Sequence, residues 1–252
     1  MRGRSQSAGD SNVKVLVSVV SLAEAHTVVE LGADIIDIKN PAEGSLGAQP
    51  PGVIREIAEF AGPRGTPVSV TLGDLPFKPG TAALAAFGAA HLPVAYLKVG
   101  LHGVRTHREA LAMLGAVRDA VQLTGRSVSV AAVGYADYRR FDGLAPHDLV
   151  RTAHDAGCAL AMLDTAIKDG NSLFDVMGSP ELEEFVGAAR QANLQVALAG
   201  SLSHRHLPAL RSLRPDIIGV RGAVCAGYDR RDCIDPAAVR AFLLAVRSAY
   251  GP

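Results

Sequence analysis

Short apolar runs recur along the chain at nearly even spacing, and each is followed by a segment with helical periodicity. The runs are rich in Val, Ile and Leu, which favour buried strands. They occupy residues 14–20, 34–40, 67–73, 95–101, 127–134, 160–165, 195–200 and 216–222. The clearest helical segments are 22–31, 53–60, 111–121, 182–192 and 237–250.

Strands that alternate with helices predict an α/β fold with a parallel sheet. Eight such units in 252 residues fit a single (β/α)8 barrel of the TIM type. The alternative is a doubly wound open sheet, but the chain contains neither GxGxxG nor GxxxxGK[ST], the nucleotide fingerprints typical of such sheets. No linker or charge block divides the chain. We therefore expect a flexible polar tail at 1–12 and one catalytic barrel domain at 13–252.

Composition excludes several classes of function. The formal net charge is zero and Trp is absent, which disfavours binding to nucleic acids or acidic membranes because both need a positive field. No apolar run approaches the length needed to span a membrane. The three cysteines lack CxxC spacing, so neither a disulfide scaffold nor a zinc site is expected, and the cytoplasm is the expected location.

Lysine is rare in this chain. Only five of the 25 basic residues are lysines and the others are arginines. The lysines are Lys14, Lys39, Lys78, Lys98 and Lys168. Arginine therefore serves wherever any positive charge suffices, and the remaining lysines indicate chemistry that a guanidinium cannot perform. A GC-rich genome would explain their rarity but not their positions.

Chemistry in such a barrel is expected at the C-terminal ends of the strands. The second predicted strand ends with Asp37 and Lys39, which share a face because strand residues two apart point the same way. A charged pair that points into a barrel costs several kcal/mol unless it is functional or fully paired. An internal salt bridge is the alternative explanation.

Three further charged residues follow the fourth and sixth predicted strands. Lys98 lies in the fourth, while Asp164 and Lys168 lie at the end of the sixth. Alternate strands of a barrel direct side chains into the same layers, so these residues can converge with Asp37 and Lys39. Any one of the lysines alone could be a solvated loop residue.

Clustered lysines favour carbonyl chemistry. An amine attacks a carbonyl only when it is neutral. A second ammonium nearby opposes protonation by roughly 2–3 kcal/mol at an effective dielectric constant near 20, and burial lowers the pKa further. One lysine could then form a Schiff base near pH 7 and another could accept a proton, as in a class I aldolase-like enzyme. Such an enzyme needs neither a metal nor an organic cofactor.

The ends of the last two strands favour a phosphate site. Barrels often bind phosphate there through backbone N–H groups, and glycine lets the backbone come close. The candidate residues are Gly200, Ser201, Gly222 and Ala223. Ordinary glycine turns are the alternative. Strand alternation allows Arg221 to lie outside the barrel, so it is a weaker candidate for phosphate binding than the glycines.

Several long runs resemble one known family. GADIIDIKNPAEGSLGA, TLGDLPFKPGT, LKVGL, DAGCALAMLDTAIKDG, ALAGSL and IIGVRGAVC resemble the (5-formylfuran-3-yl)methyl phosphate synthase family of the methanofuran pathway, also called 4-(hydroxymethyl)-2-furancarboxaldehyde-phosphate synthase. The resemblance extends from about residue 14 to 249. It implies a TIM-type barrel that joins two molecules of glyceraldehyde 3-phosphate, with loss of phosphate and water, to give the furan.

The resemblance also implies roles for individual residues. The Schiff-base lysine of the family falls on Lys39 and its proton-accepting lysine on Lys98. The other active-site residues of the family fall on Asp37, Asp164 and Lys168. The tail and the segment 134–146 depart from the family pattern. These departures affect what is expected of partners and of the pathway more than what is expected of the chemistry.

Two other functions remain open at this point. Another Schiff-base barrel lyase acting on sugar phosphates would keep both carbon chains intact and make no furan. A non-catalytic barrel that binds a sugar phosphate would need neither the acids nor the lysines. The expected partners are small triose phosphates, with no nucleic acid or membrane, and a homo-oligomer is expected from the neutral, apolar barrel surface.

Overall fold

Eight parallel strands close into a barrel in which each strand pairs with the next along the chain and β8 pairs with β1. A computed structural model describes residues 13–251. The strands are β1 Lys14–Val19, β2 Ile35–Ile38, β3 Val68–Pro76, β4 Tyr96–Gly103, β5 Ser129–Tyr135, β6 Leu160–Asp164, β7 Gln195–Leu198 and β8 Ile217–Val220. The predicted (β/α)8 barrel of the TIM type is therefore confirmed. The predicted tail, 1–12, lies outside the described residues, so the domain boundary stays a prediction.

Helices surround the barrel. They are α1 Leu22–Glu30, α2 Pro51–Ala61, α3 Pro79–Ala90, α4 His107–Leu123, α5 Pro146–Asp155, α6 Leu173–Val176, α7 Ser179–Gln191, α8 Leu207–Leu213 and α9 Pro236–Tyr250. Within residues 13–251, none of them is both long and apolar enough to cross a membrane.

Helix α9 shows why the helices begin where they do. Asp235 precedes the first turn and accepts a hydrogen bond from the backbone N–H of Ala237 at 2.8 Å, and Pro236 occupies the first turn. The carboxylate satisfies a donor that the helix itself leaves unpaired, and proline needs no such partner. The cap therefore fixes where the chain turns from the last barrel loop into α9.

Two apolar cores lie on the two sides of the barrel wall. On β2, Ile36 and Ile38 belong to the outer core beneath the helices, while Ile35 belongs to the inner core. Asp37 shares the inward face with Ile35, as strand alternation requires. The strand therefore directs its one carboxylate into the barrel, and the next inward position is Lys39.

Glycine at position 134 lets α5 pack closely against β5. A Cβ built on Gly134 would lie 2.7 Å from Cδ2 of Leu149, which is buried on α5. Gly187 on α7 is different, since a Cβ there would meet nothing within 4 Å.

We predict that Gly134→Val lowers the free energy of unfolding by about 1–3 kcal/mol because it overpacks this contact. Gly187→Ala, the control, should raise it by about 0.5–1 kcal/mol because alanine loses less backbone entropy in a helix. Urea unfolding checks both. Equal stability of Gly134→Val and the wild type would contradict the packing described for α5.

Candidate active site

A cavity of about 710 Å³ opens at the C-terminal ends of the strands. Its walls come mainly from the β1, β2, β6, β7 and β8 side of the barrel, with Lys98 reaching in from β4. Every predicted site residue lines it: Asp37, Lys39, Lys98, Asp164, Lys168, Gly200, Ser201, Gly222 and Ala223. Residues from six strands or their loops thus meet in one space.

Asp37 and Lys98 form an ion pair that is shut away from solvent. Lys98 Nζ lies 2.6 Å from Asp37 Oδ1, and the two side chains are 2% and 0% exposed. Ser18 on β1 donates a hydrogen bond to the other carboxylate oxygen at 2.9 Å. The strand between them, β3, carries the small residue Ser69 in register with Asp37, which leaves room for the pair to meet. The sequence allowed an internal salt bridge between Asp37 and Lys39, but the direct partner of Asp37 is Lys98.

A second pair lies at the end of β6. Lys168 Nζ contacts Asp164 Oδ1 at 2.7 Å and donates to the hydroxyl of Thr165 at 3.0 Å. Burial alone would raise the pKa of Asp164, but the nearby ammonium groups of Lys168 and Lys39 and the hydrogen bond from Lys168 hold it well below its usual range. Asp164 is therefore an anion that faces the cavity.

Lys39 is the buried lysine without an ion partner among residues 13–251. Burial lowers the pKa of Lys39 to about 7, with Asp164 opposing the shift and Lys98 adding to it. A neighbouring ammonium was expected to be the main cause of the lowered pKa, but burial is the larger cause. Lys98 and Lys168 each carry a carboxylate partner, so their charges act on Lys39 largely as neutral pairs. A neutral amine is the form that attacks a carbonyl.

The loop after β2 folds inward and covers the opposite side of the barrel mouth. Leu46 is fully buried in the inner core. Its N–H donates to Asp74 Oδ2 at 3.0 Å, and Asp74 Oδ1 accepts from the hydroxyl of Tyr135. Thr71 Oγ1 donates to the carbonyl of Gly47 at 2.8 Å. This loop directly follows Lys39, so these contacts fix the chain on which the amine is carried.

Sequence reasoning missed Asp74 and Tyr135 as members of the site. Asp74 lies in TLGDLPFKPGT, one of the runs that carried the family resemblance. The resemblance therefore marked this segment, but it did not assign a role to Asp74. Burial raises the pKa of Tyr135 well above its usual value, and the carboxylate of Asp74 adds to the shift. The phenol therefore stays a hydrogen-bond donor to Asp74.

The predicted phosphate loops line the cavity, at the tops of β7 and β8. Gly200 has φ +107° and Ser201 has φ +49°, and a Cβ on Gly200 would lie 3.0 Å from Thr165 Cγ2. Glycine is thus required at position 200 by both backbone conformation and space. Their role in binding phosphate stays a prediction.

Arg221 points inward, contrary to the expectation that it could lie outside the barrel. It shares its face of the strand with Ile217 of the inner core and Gly219, because it follows them by four and two residues, respectively. Its guanidinium pairs with Glu24, with Nη1 at 2.9 Å from Oε2. It also donates to three backbone carbonyls, those of Ser18, Arg230 and Asp232.

Arg230 is a further cavity residue that the sequence did not indicate. It lines the cavity from the loop after β8, and its Nη2 donates to the carbonyl of Gly44 at 2.9 Å. Within residues 13–251, no group of three or more His, Cys, Asp or Glu side chains is arranged to hold a metal ion.

Comparisons with known proteins identify relatives over most of the chain. A model of the 4-HFC-P synthase family matches residues 15–243. The (5-formylfuran-3-yl)methyl phosphate synthase of Archaeoglobus fulgidus is 53% identical over 222 residues, which are 88% of this chain and 94% of the relative. The enzyme of the same name from Methanocaldococcus jannaschii is 47% identical over 218 residues, 86% of this chain and 92% of the relative.

Solved structures with the same fold are much more distant in sequence. Thiamine phosphate pyrophosphorylase from Pyrococcus furiosus superposes with a TM-score of 0.64 at 11% identity, covering 96% of this chain and 98% of that chain. KGPDC from Streptococcus mutans gives a TM-score of 0.63 at 14% identity, covering 95% of this chain and 99% of that chain. At such identities the likeness shows the fold alone.

We predict that the reactivity of Lys39 rises about tenfold per pH unit below its pKa of about 7 and levels off above it, because only the neutral amine reacts. Acetylation by acetic anhydride, read at Lys39 by peptide mass spectrometry, measures this profile. A free amine of known pKa, added to the same sample, corrects for decay of the reagent. Asp164→Asn should move the midpoint down and Lys98→Met should move it up. Two shifts of the same sign would contradict the charge arrangement described above.

We predict that Asp74→Asn lowers the free energy of unfolding by about 1–3 kcal/mol, because an amide cannot accept from both Leu46 and Tyr135 as the carboxylate does. Asp119→Asn on the exposed face of α4 is the matched control and should change stability by less than about 0.5 kcal/mol. Urea unfolding of the two variants makes the comparison. If the two variants were equally stable, the contacts of Asp74 would not be what holds the loop after β2.

Proposed function

The chain belongs to the 4-HFC-P synthase family, and from that premise we propose that it condenses two molecules of glyceraldehyde 3-phosphate into (5-formylfuran-3-yl)methyl phosphate. One phosphate and water are lost in the reaction. The name shared by the relatives supports this product. The observation that carries the proposal is the amine of Lys39, which is buried, unpaired among the described residues and has a pKa of about 7.

The first step is formation of an imine on Lys39. One triose phosphate is isomerised to the ketone, and the neutral amine attacks the ketone carbon to form a C–N bond, with loss of water. Burial lowers the pKa of the amine so that a large fraction of it is neutral near pH 7, and burial also excludes bulk water from the imine. Asp164 lies near enough to influence the pKa of Lys39, so its negative charge stabilises the protonated imine.

The second step is removal of a proton from the carbon next to the imine, which gives an enamine. Lys98 accepts this proton in our proposal. Since Lys98 is paired with Asp37 at 2.6 Å and both side chains are closed to solvent, Asp37 is the group that can take a proton from Lys98 before Lys98 accepts one from the substrate. Asp37 therefore acts on the reaction through Lys98.

The remaining steps form the new carbon–carbon bond and the ring. The enamine carbon attacks the aldehyde carbon of the second triose phosphate, whose oxygen takes up a proton. In our proposal Lys168, which is hydrogen-bonded to Asp164, donates protons and the carboxylate of Asp164 accepts them during ring closure and elimination of phosphate and water. Gly200, Ser201, Gly222 and Ala223 line the same cavity, and in our proposal their loops bind a phosphate.

Two further expectations also stand as proposals. We propose a cytoplasmic location, which is consistent with three cysteines that remain free thiols. We also propose that the chain forms a homo-oligomer. The mass of the purified protein in solution, measured by light scattering, tests the second.

We predict that Lys39→Arg lowers furan formation on the order of a thousandfold or more, because a guanidinium keeps the charge but cannot form an imine. The assay is mass spectrometry of products from glyceraldehyde 3-phosphate alone, with release of free phosphate measured in parallel. Borohydride should trap an adduct on residue 39 in the wild type and none in the variant. Lys14→Arg, the same substitution at an exposed lysine on β1, should retain full activity.

The product decides between this reaction and another aldol-type lyase. A furan aldehyde phosphate with an equal amount of free phosphate supports the proposal. A trapped adduct on Lys39 with a product that keeps both phosphates would assign the chain a different aldol partner. Near-normal turnover by Lys39→Arg would contradict the covalent scheme.

A further inference from the structure

Most cations that line the cavity are already paired with a carboxylate. The pairs are Lys98 with Asp37, Lys168 with Asp164, Arg221 with Glu24, and Arg205 with Asp175. Arg230 differs, because no carboxylate of residues 13–251 lies within ion-pair distance of it. Its one hydrogen bond is donated by Nη2 to the carbonyl of Gly44. Four of the five N–H groups of a guanidinium are therefore free for a ligand in the cavity.

An unpaired guanidinium in this position is costly without an anion. The side chain is half-buried, and burial lowers the pKa of Arg230, while the charges of Asp164 and Asp74 partly offset the shift. Arginine stays protonated even so. A partly desolvated cation without a counterion raises the energy of the unliganded protein, and an anion bound beside it would remove that cost.

The position of Arg230 is set by the top of β8. A Cβ on Gly222 would lie 3.2 Å from the carbonyl of Tyr228 and 3.9 Å from the N–H nitrogen of Arg230, so the backbone of Arg230 packs beside the predicted phosphate loop. Arg221 Nε donates to the carbonyl of Arg230 at 2.6 Å. Arg221, whose N–H groups all have partners, thus holds the backbone of Arg230, whose N–H groups are mostly free.

We propose that Arg230 is the side-chain ligand of the substrate phosphate and that it makes the enzyme select phosphorylated carbonyl compounds. The identity of the substrate as a triose phosphate rests on the proposed function. The planar guanidinium suits the bidentate recognition of phosphate oxygens, while the backbone N–H groups of the loops after β7 and β8 complete the site. The contact with Gly44 links this site to the loop that follows Lys39.

Arg230→Gln tests the proposal by comparing two substrates in the same protein. Cyanoborohydride trapping on Lys39 is measured with glyceraldehyde 3-phosphate and with glyceraldehyde. The wild type should trap the phosphorylated compound far more efficiently. The variant should lose about 10- to 100-fold of that preference, since one charge-assisted contact to the phosphorylated compound is removed. Because the ratio is taken within one protein, a partly unfolded sample does not alter it.

Two further variants and one ligand sharpen the result. Arg231→Gln is the matched control, because the guanidinium of Arg231 is exposed and pairs with Asp229. This variant should keep the wild-type preference. Arg230→Lys should recover part of the preference, since it restores the charge without the planar fork. Inorganic phosphate should inhibit trapping of glyceraldehyde in the wild type and should do so about 10- to 100-fold less strongly in Arg230→Gln.

Equal loss of trapping for both aldehydes in Arg230→Gln would overturn the proposal, because Arg230 would then act only through its contact with Gly44. The failure of the proposed function looks different. A wild-type protein that makes no furan, but prefers the phosphorylated aldehyde through Arg230, would refute the reaction and leave this phosphate ligand in place.

Discussion

Burial of an unpaired amine at the top of β2 is the constraint on which the site depends. Lys39 would be protonated in water, and its place in the barrel is what lowers its pKa to about 7. A buried cation that gained its own carboxylate would remain protonated. The neighbouring carboxylates are instead held by Lys98 and Lys168, so the lysines beside Lys39 protect its neutrality mainly by occupying the acids.

The same constraint explains the loop after β2. A reactive amine must meet its carbonyl at a fixed distance and angle, and the four-residue strand β2 ends just before Lys39. Hydrogen bonds from Leu46 to Asp74 and from Thr71 to Gly47 tie the following loop to β3. The loop also fills the β3 to β5 side of the mouth, so the cavity and its charges lie on the other side.

The barrel itself does not specify this chemistry. Solved structures with TM-scores of 0.64 and 0.63 share the fold at 11% and 14% identity, and a barrel of this kind supports many reactions. What distinguishes this chain is the set of side chains at the strand ends. Its relatives, which are about 50% identical over most of their length, place it in one family. The geometry of the site indicates how the side chains at the strand ends can work together.

Local sequence determined the barrel and the list of candidate residues. Strand alternation placed Asp37 and Lys39 on one inward face, and the scarcity of lysine marked Lys98 and Lys168, because these properties depend only on the order of residues along the chain. Pairing could not be predicted in this way. Asp37 on β2 meets Lys98 on β4 across β3, and which acid reaches which amine depends on barrel tilt and on the small side chain of Ser69. Tertiary structure likewise decided the contrast between Arg221, whose N–H groups all have partners, and Arg230, whose N–H groups are mostly free. Both are arginines in one segment of the sequence, and only the folded loops show which donors have partners.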